Sequence, residues 1–288
     1  MSRIYDALKK LEAQRLAGGG ANGHGAEGRG NGSGHHANGN ANGNGNGNGK
    51  RHGWRAWFQT NGHTNGHRSL TLDFKLGPEV EEAYQRLGTN LLVAPEHDPA
   101  RSQKLLGVTA SRHGEGTTTT AAVFASILVR RRGGRVAVVE ANFRTPSCDA
   151  AFGVKRNGGF AEFIEGRETL ANVAQPSRLG NLFVVTCGHS ELTPAALFDS
   201  PGLTAALAQL REHFDFVVFD LPPVNVYSDA SILAPRLDAA LIVIEADRTR
   251  IPEVERTRRT LDRVGVKVVG SVLNRRRNYI PSFLEELL

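Results

Sequence analysis

Leu105-Leu-Gly-Val-Thr-Ala110-Ser111-Arg-His-Gly114-Glu115-Gly116-Thr117-Thr118-Thr119-Thr120-Ala-Ala is the stretch on which the fold turns. An apolar run suited to a strand gives way to a glycine-bearing turn and then to a helical pattern. In that setting backbone N–H groups and a helix N-terminus together cradle phosphate. Gly114 and Gly116 let the backbone approach an anion, and Thr118 stands where a hydroxyl would hold Mg²⁺. The usual phosphate loop reads G-x-x-x-x-G-K-[ST]; here Ser111 replaces its first Gly and Thr117 its Lys. On the loop alone, a phosphate cradle and a plain glycine-rich strand-to-helix turn stand side by side.

Working outward, further apolar, β-branched runs occur at 136–139, 182–186, 216–219, 240–244 and 266–273. Helical periodicity fills the intervals at 79–93, 117–131, 194–211 and 252–264. Strands that are apolar along their whole length, separated by helices, predict an α/β fold: a doubly wound, mostly parallel sheet covered on both faces. Such sheets place their sites at the carboxyl ends of the strands. This region, 70–288, is the predicted globular domain.

The chain has 288 residues, 40% of them apolar and 22% charged, which is enough to bury a substantial core. No apolar run approaches the ~20 residues needed to span a bilayer, and the opening Met1-Ser-Arg-Ile-Tyr-Asp carries no signal core. Neither secretion nor a membrane span is therefore expected. Cys148 and Cys187 lack Cys-x-x-Cys spacing, so neither a disulfide framework nor a structural zinc site is expected, and a reducing cytoplasm fits.

The formal charge of +6 resides entirely in residues 1–68, where nine Lys/Arg face Asp6, Glu12 and Glu27. Residues 2–16 predict a short amphipathic helix, with Ser2 as cap and Ile4, Leu8 and Leu11 on one face, so 1–16 is taken as one unit. Residues 17–69 form a Gly/Asn/His-rich stretch whose composition cannot bury a core and reads as a flexible linker. Within it sits Lys50-Arg-His-Gly-Trp54-Arg-Ala-Trp57-Phe58. Trp54 and Trp57 beside basic groups suit either adhesion to an anionic membrane surface or packing on a protein.

Three further stretches carry chemistry: Val138-Val139-Glu140-Ala-Asn142-Phe-Arg144-Thr-Pro-Ser147, Phe214-Asp-Phe-Val-Val-Phe-Asp220-Leu-Pro222-Pro223-Val224 followed by Ser228-Asp229-Ala, and Val269-Gly-Ser-Val-Leu-Asn274. With the loop, these resemble the bacterial tyrosine autokinases of exopolysaccharide and capsule biosynthesis. Those kinases are deviant-Walker P-loop ATPases. The resemblance spans about residues 74–281, and Ser2-Arg-Ile-Tyr-Asp-Ala-Leu-Lys-Lys also looks like the start of many such chains. It implies ATP and Mg²⁺ as cofactors, with nucleotide contacts from Ser111, Gly114, Glu115, Gly116, Thr117, Thr118, Thr119, Arg144 and Asn274. It also implies Mg²⁺ held by Thr118 and Asp220, and adenine read by Asn274.

The departures from the family pattern are specific. Its Asp-x-Asp-x-Arg becomes Glu140, Asn142 and Arg144, leaving a catalytic set of Asp220, Glu140 and a neutral Asn142. Its ring-forming Glu-x-x-Arg-x-x-Arg becomes Glu82, Gln85 and Gly88, which leaves self-association open, and only Tyr279 follows residue 274 where relatives carry a tyrosine cluster. A hydrogen bond to a charged group contributes roughly 1.5–3 kcal/mol, so losing the lysine weakens ATP by ~10–150-fold. The expectation is a catalytically weakened, cytoplasmic partner of a membrane chain-length co-polymerase, peripheral at the inner face of the plasma membrane. An active autokinase is the alternative. A DNA- or surface-positioning ATPase is a more distant one, disfavoured by Pro222-Pro223, and nucleic acid is not an expected partner.

Overall fold

The computed structural model describes residues 77–92 and 104–276. The predicted helix over 2–16, the linker to 69, Trp54, Trp57 and Tyr279 lie outside the described residues.

The described chain runs α1 (Pro78–Leu92), β1 (Leu105–Ala110), α2 (Thr117–Arg132), β2 (Val136–Glu140), α3 (Cys148–Phe152), α4 (Phe160–Ile164) and α5 (Leu170–Val173). It continues with β3 (Gln175–Pro176), β4 (Leu182–Val185), α6 (Pro194–Phe198), α7 (Pro201–His213), β5 (Phe216–Asp220) and α8 (Asp229–Leu233). A 3₁₀ turn, Ala234–Arg236, leads to β6 (Ala239–Glu245), α9 (Ile251–Arg263) and β7 (Val268–Asn274). The strands form one seven-stranded sheet in the order β3-β4-β2-β5-β1-β6-β7, parallel throughout except where β3 meets β4.

The predicted doubly wound α/β sheet is observed, and its cause is legible in burial. Every residue of β1 and β2 is buried, as a strand covered by helices on both faces requires. One face packs α1, α2 and α3 over Val108, Val138 and Val218, through Phe124, Leu128 and Phe152. The other packs α4 to α9 over Val139, Phe219 and Ile242, through Phe160, Phe198, Leu203 and Leu261. Register then sets the site: Glu140 at the end of β2 pairs with Asp220 at the end of β5, and Asp220 pairs with Val108 in β1.

Three local readings are corrected. The helix expected over 194–211 is two helices, α6 and α7. Ser200 takes an extended conformation ahead of Pro201, whose ring disfavours a helical residue before it. The last strand starts at Val268 rather than 266, beside a register shift at Ala240/Leu241. The edge strand β3 and the four- and five-residue helices were not anticipated, being too short for a periodic pattern to show. Among the described residues no helix is long and apolar enough to cross a membrane.

The start of α4 is welded to the exit of β4, which brings Cys187 against the site. Phe160 N–H donates to Thr186 C=O at 2.7 Å and Ala161 N–H to Cys187 C=O at 2.9 Å. That approach needs a glycine at 159, where a Cβ would sit 2.3 Å from the Thr186 carbonyl oxygen and 2.4 Å from the Gly188 nitrogen. Backbone on both sides cannot give way as a side-chain tip can. Gly159→Ala is therefore expected to destabilise the protein by about 1–3 kcal/mol in urea unfolding. Gly270→Ala, whose Cβ would make an ordinary 3.8 Å contact with Leu241, leaves the midpoint nearly unchanged.

Candidate functional site

The loop between β1 and α2 adopts left-handed conformations at Gly114 (φ 83°) and Gly116 (φ 93°), which favour glycine. Its shape is held by the buried side chain of Glu115. One carboxylate oxygen accepts the N–H groups of Ser111 (2.7 Å) and Arg112 (3.1 Å), and the other accepts the Thr249 hydroxyl. From beneath, Ser111 Oγ pairs with Thr257 Oγ1 of α9 at 2.7 Å, both fully buried. From the side, Asn274 Nδ2 donates to the Glu115 carbonyl at 2.8 Å and packs where a Cβ on Gly116 would fall, 2.1 Å away. The first hydrogen-bonded amide of α2 is Thr120, donating to Gly116 C=O at 2.8 Å. The amides of Gly114 through Thr119 donate to no protein acceptor among the described residues, leaving a row of donors at the loop mouth.

Behind that mouth lie two buried carboxylates. Asp220 accepts the Thr118 hydroxyl at 2.6 Å and the Cys148 thiol at 3.9 Å on Oδ2, while its Oδ1 has no hydrogen-bond partner. Burial, reinforced by the neighbouring charge of Glu140 and opposed by the Thr118 bond, pushes the Asp220 carboxyl up to about 7. Glu140 accepts three backbone amides, from Ser147, from Cys148 (2.7 Å) and from Cys187 (3.0 Å). Burial and the two nearby carboxylates push the Cys148 thiol well above its ordinary range. Burial and Glu140 take Cys187 to about 12. The thiols are neutral as they stand.

The other candidates separate into those brought together and those not. Asn142 closes its own turn: its Oδ1 accepts the N–H groups of Arg144 and Thr145 at 3.2 Å each, and its Nδ2 donates to Thr145 Oγ1 at 3.0 Å. Arg144 is clamped by Asp229 through Nε at 2.8 Å and a second nitrogen at 3.2 Å, and lies over the Tyr227 ring at 5.0 Å. Arg112 remains half-exposed with only a 3.7 Å contact to Glu253. Thr117 opens α2, and Thr119 points outward from it. Besides donating to the loop, Asn274 takes the Arg275 N–H on Oδ1 at 2.9 Å, so one N–H and one lone pair remain for a base. In α1, Gln85 donates to Glu81, and Gly88 is buried against Phe124 and Leu128.

Sequence reasoning passed over Cys148, Asp229 and Thr257 as site residues. Asp229 lay in a quoted motif, but nothing in residue spacing foretells its pairing with Arg144 across 85 positions. A cavity of about 390 Å³ lined by Arg135, Phe183 and Phe214 lies at the amino ends of the strands, away from this chemistry.

An anion-receptive loop between a parallel strand and a helix, with a hydroxyl on an acid at the end of a neighbouring strand, is the constellation of P-loop nucleotide-binding proteins. No protein-family model matches the chain. It is 27% identical over 198 residues to the tyrosine-protein kinase CpsD of Streptococcus pneumoniae, covering 68% of this chain and 85% of that one. To the tyrosine-protein kinase YwqD of Bacillus subtilis it is 27% identical over 193 residues, covering 67% and 80%. Among solved structures, the VpsO kinase domain matches at 26% identity and a TM-score of 0.60, covering 69% and 97%. The chimerical protein CapA2B2 shares the fold at a TM-score of 0.67 and 23% identity, covering 73% and 91%. In sequence and in fold the chain is similar to the bacterial tyrosine kinases, which supports the bacterial tyrosine autokinase family of P-loop ATPases.

The Asp220 environment has a pH consequence. A carboxyl titrating near 3.8 when unfolded and about 7 when folded keeps its proton preferentially in the native state. Stability of the nucleotide- and metal-free protein should therefore fall as pH rises from about 4 to 7 and level off above. In Asp220→Asn this component is absent, and the variant melts higher than wild type at pH 8. Equal melting temperatures at pH 8 would contradict the assignment.

Proposed function

We propose that this protein binds ATP with Mg²⁺ but transfers phosphate poorly, serving as a regulatory subunit of a polysaccharide synthesis and export system. The observation that carries this reading is the end of β2. The Asn142 carboxamide is neutral and spent on its own turn, so it neither takes a proton from an attacking hydroxyl nor adds charge at a metal. Glu140 retains its charge, but three backbone amides hold its carboxylate in place.

Binding capacity is supported by the parts that remain. The free amides of Gly114 to Thr119 suit a chain of phosphates, and Thr118 with Asp220 fits a magnesium ion. Such an ion would neutralise charge between the terminal phosphates. Thr117 offers a hydroxyl where a lysine would offer a cation.

A working autokinase is the second reading, and one observation favours it. Arg112 sits in the loop itself, half-exposed and weakly held, so its guanidinium is free to turn toward a phosphate. Arg144 is not, because Asp229 and Tyr227 hold it.

In the first reading the protein docks at the inner face of the plasma membrane on a chain-length co-polymerase. Trp54, Trp57 and the neighbouring basic residues would grip anionic lipid. Co-sedimentation with anionic liposomes should then drop in the Trp54→Ala/Trp57→Ala variant and with added salt; equal binding by the variant would refute the grip.

Calorimetry with Mg²⁺-ATP and an anti-phosphotyrosine assay on the purified protein test the central claim. Thr117→Lys should tighten ATP by ~10–150-fold, the value of a charged hydrogen bond. Thr117→Lys/Asn142→Asp should add transfer activity that wild type lacks. Robust phosphotyrosine on wild type, lost in Arg112→Ala, would overturn this reading in favour of the second.

A further inference from the structure

Glu140, Cys148 and Asp220 converge from the end of β2, the start of α3 and the end of β5. Their ligand atoms all lie within 4.8 Å of one another, and all three residues are buried. Among the described residues no Lys, Arg or His hydrogen-bonds to either carboxylate, so two acids and a thiol are enclosed without a cation. Asp220, 1% exposed, keeps Oδ1 without any partner. Glu140 Oε2 accepts a single amide, from Cys187, which leaves it a lone pair. Unfilled buried acceptors at one point suit a positive ion.

The sulfur decides which ion. Mg²⁺ takes oxygen ligands and suits Thr118 with Asp220, whereas a thiolate selects zinc-like cations. The Cys148 Sγ to Asp220 Oδ2 distance is 3.9 Å. Tetrahedral zinc, with bonds of about 2.3 Å to sulfur and about 2.1 Å to oxygen, sets that edge near 3.6 Å. A contraction of a few tenths of an ångström brings that edge to the tetrahedral value, and the other two edges are at most 4.8 Å, with the fourth position left to water.

We propose that Glu140, Cys148 and Asp220 bind a thiophilic divalent cation of the zinc class, with the Cys148 thiolate as its distinguishing ligand. As the metal–sulfur bond forms, the S–H proton leaves to solvent, and no electron is transferred. The site shares Asp220 with the magnesium position above but requires no nucleotide, so it is tested in the absence of both.

Co²⁺ is the probe, added to the full-length protein without Mg²⁺ or nucleotide and with a phosphine reductant. The arm's histidines, among them His24, His35, His36, His52, His63 and His67, will also take up Co²⁺, but nitrogen ligands give no sulfur-to-cobalt charge-transfer band. Wild type should show that near-ultraviolet band, saturating at one equivalent, displaced by Zn²⁺ and indifferent to millimolar Mg²⁺. Cys148→Ser should abolish it, Cys187→Ser should keep it, and Asp220→Asn should weaken Co²⁺ at least tenfold. Absence of the band in wild type, a measurement that needs no variant to fold, overturns the proposal, as does its persistence in Cys148→Ser. ATP binding measured by calorimetry on the same preparation reports on the nucleotide reading independently.

Discussion

The site depends on one buried carboxylate. Glu140 ends β2 and accepts amides from Ser147 and Cys148 at the head of α3 and from Cys187 at the exit of β4. Each bond from a backbone amide to a charged oxygen contributes roughly 1.5–3 kcal/mol, and together they compensate for removing the charge from water. Three chain segments are thereby tied to one side chain. The same knot delivers Cys148 to Asp220 and sets the floor beneath Thr118.

The loop above is built by the same device on a smaller scale. Glu115 is a second buried carboxylate that accepts backbone amides, and Thr257 and Asn274 brace the loop from α9 and β7. The mouth is braced by its own side chains, which satisfy the inward amides and leave the outward ones free. Among the described residues the cations near those donors are few. Arg144 has been drawn into a clamp with Asp229, and Arg112 is the remaining loop cation. The proposed reading rests on this combination of a preserved phosphate-shaped loop with a threonine at 117 and a clamped Arg144.

Much of the architecture was legible in residue order. Strands apolar along their whole length, such as 136–139 and 216–219, are what a sheet buried on both faces demands, and their spacing by helices fixed the parallel topology. Thr118 and Asp220 were legible as partners because a phosphate loop and an acid-ended strand have one mutual arrangement in this fold. Pro201 as a helix break was also available in principle, but the apolar periodicity across 194–211 masked it. The five-residue helices and the two-residue β3 were not, since they contain too few residues to show a period.

The order of residues by itself determined the class of fold, the place of the loop and the neutral side chains at 117 and 142. These follow from local patterning and from the identity of single side chains. Only the tertiary structure decided how the remaining groups are spent. That Arg144 is taken by Asp229 and that Cys148 lies against Asp220 are matters of contacts across tens of positions, and even the short turn that Asn142 closes is a choice among partners that residue types alone do not fix. Hydrogen-bond partners are chosen by proximity after packing, and proximity between distant residues is the quantity that linear spacing does not encode.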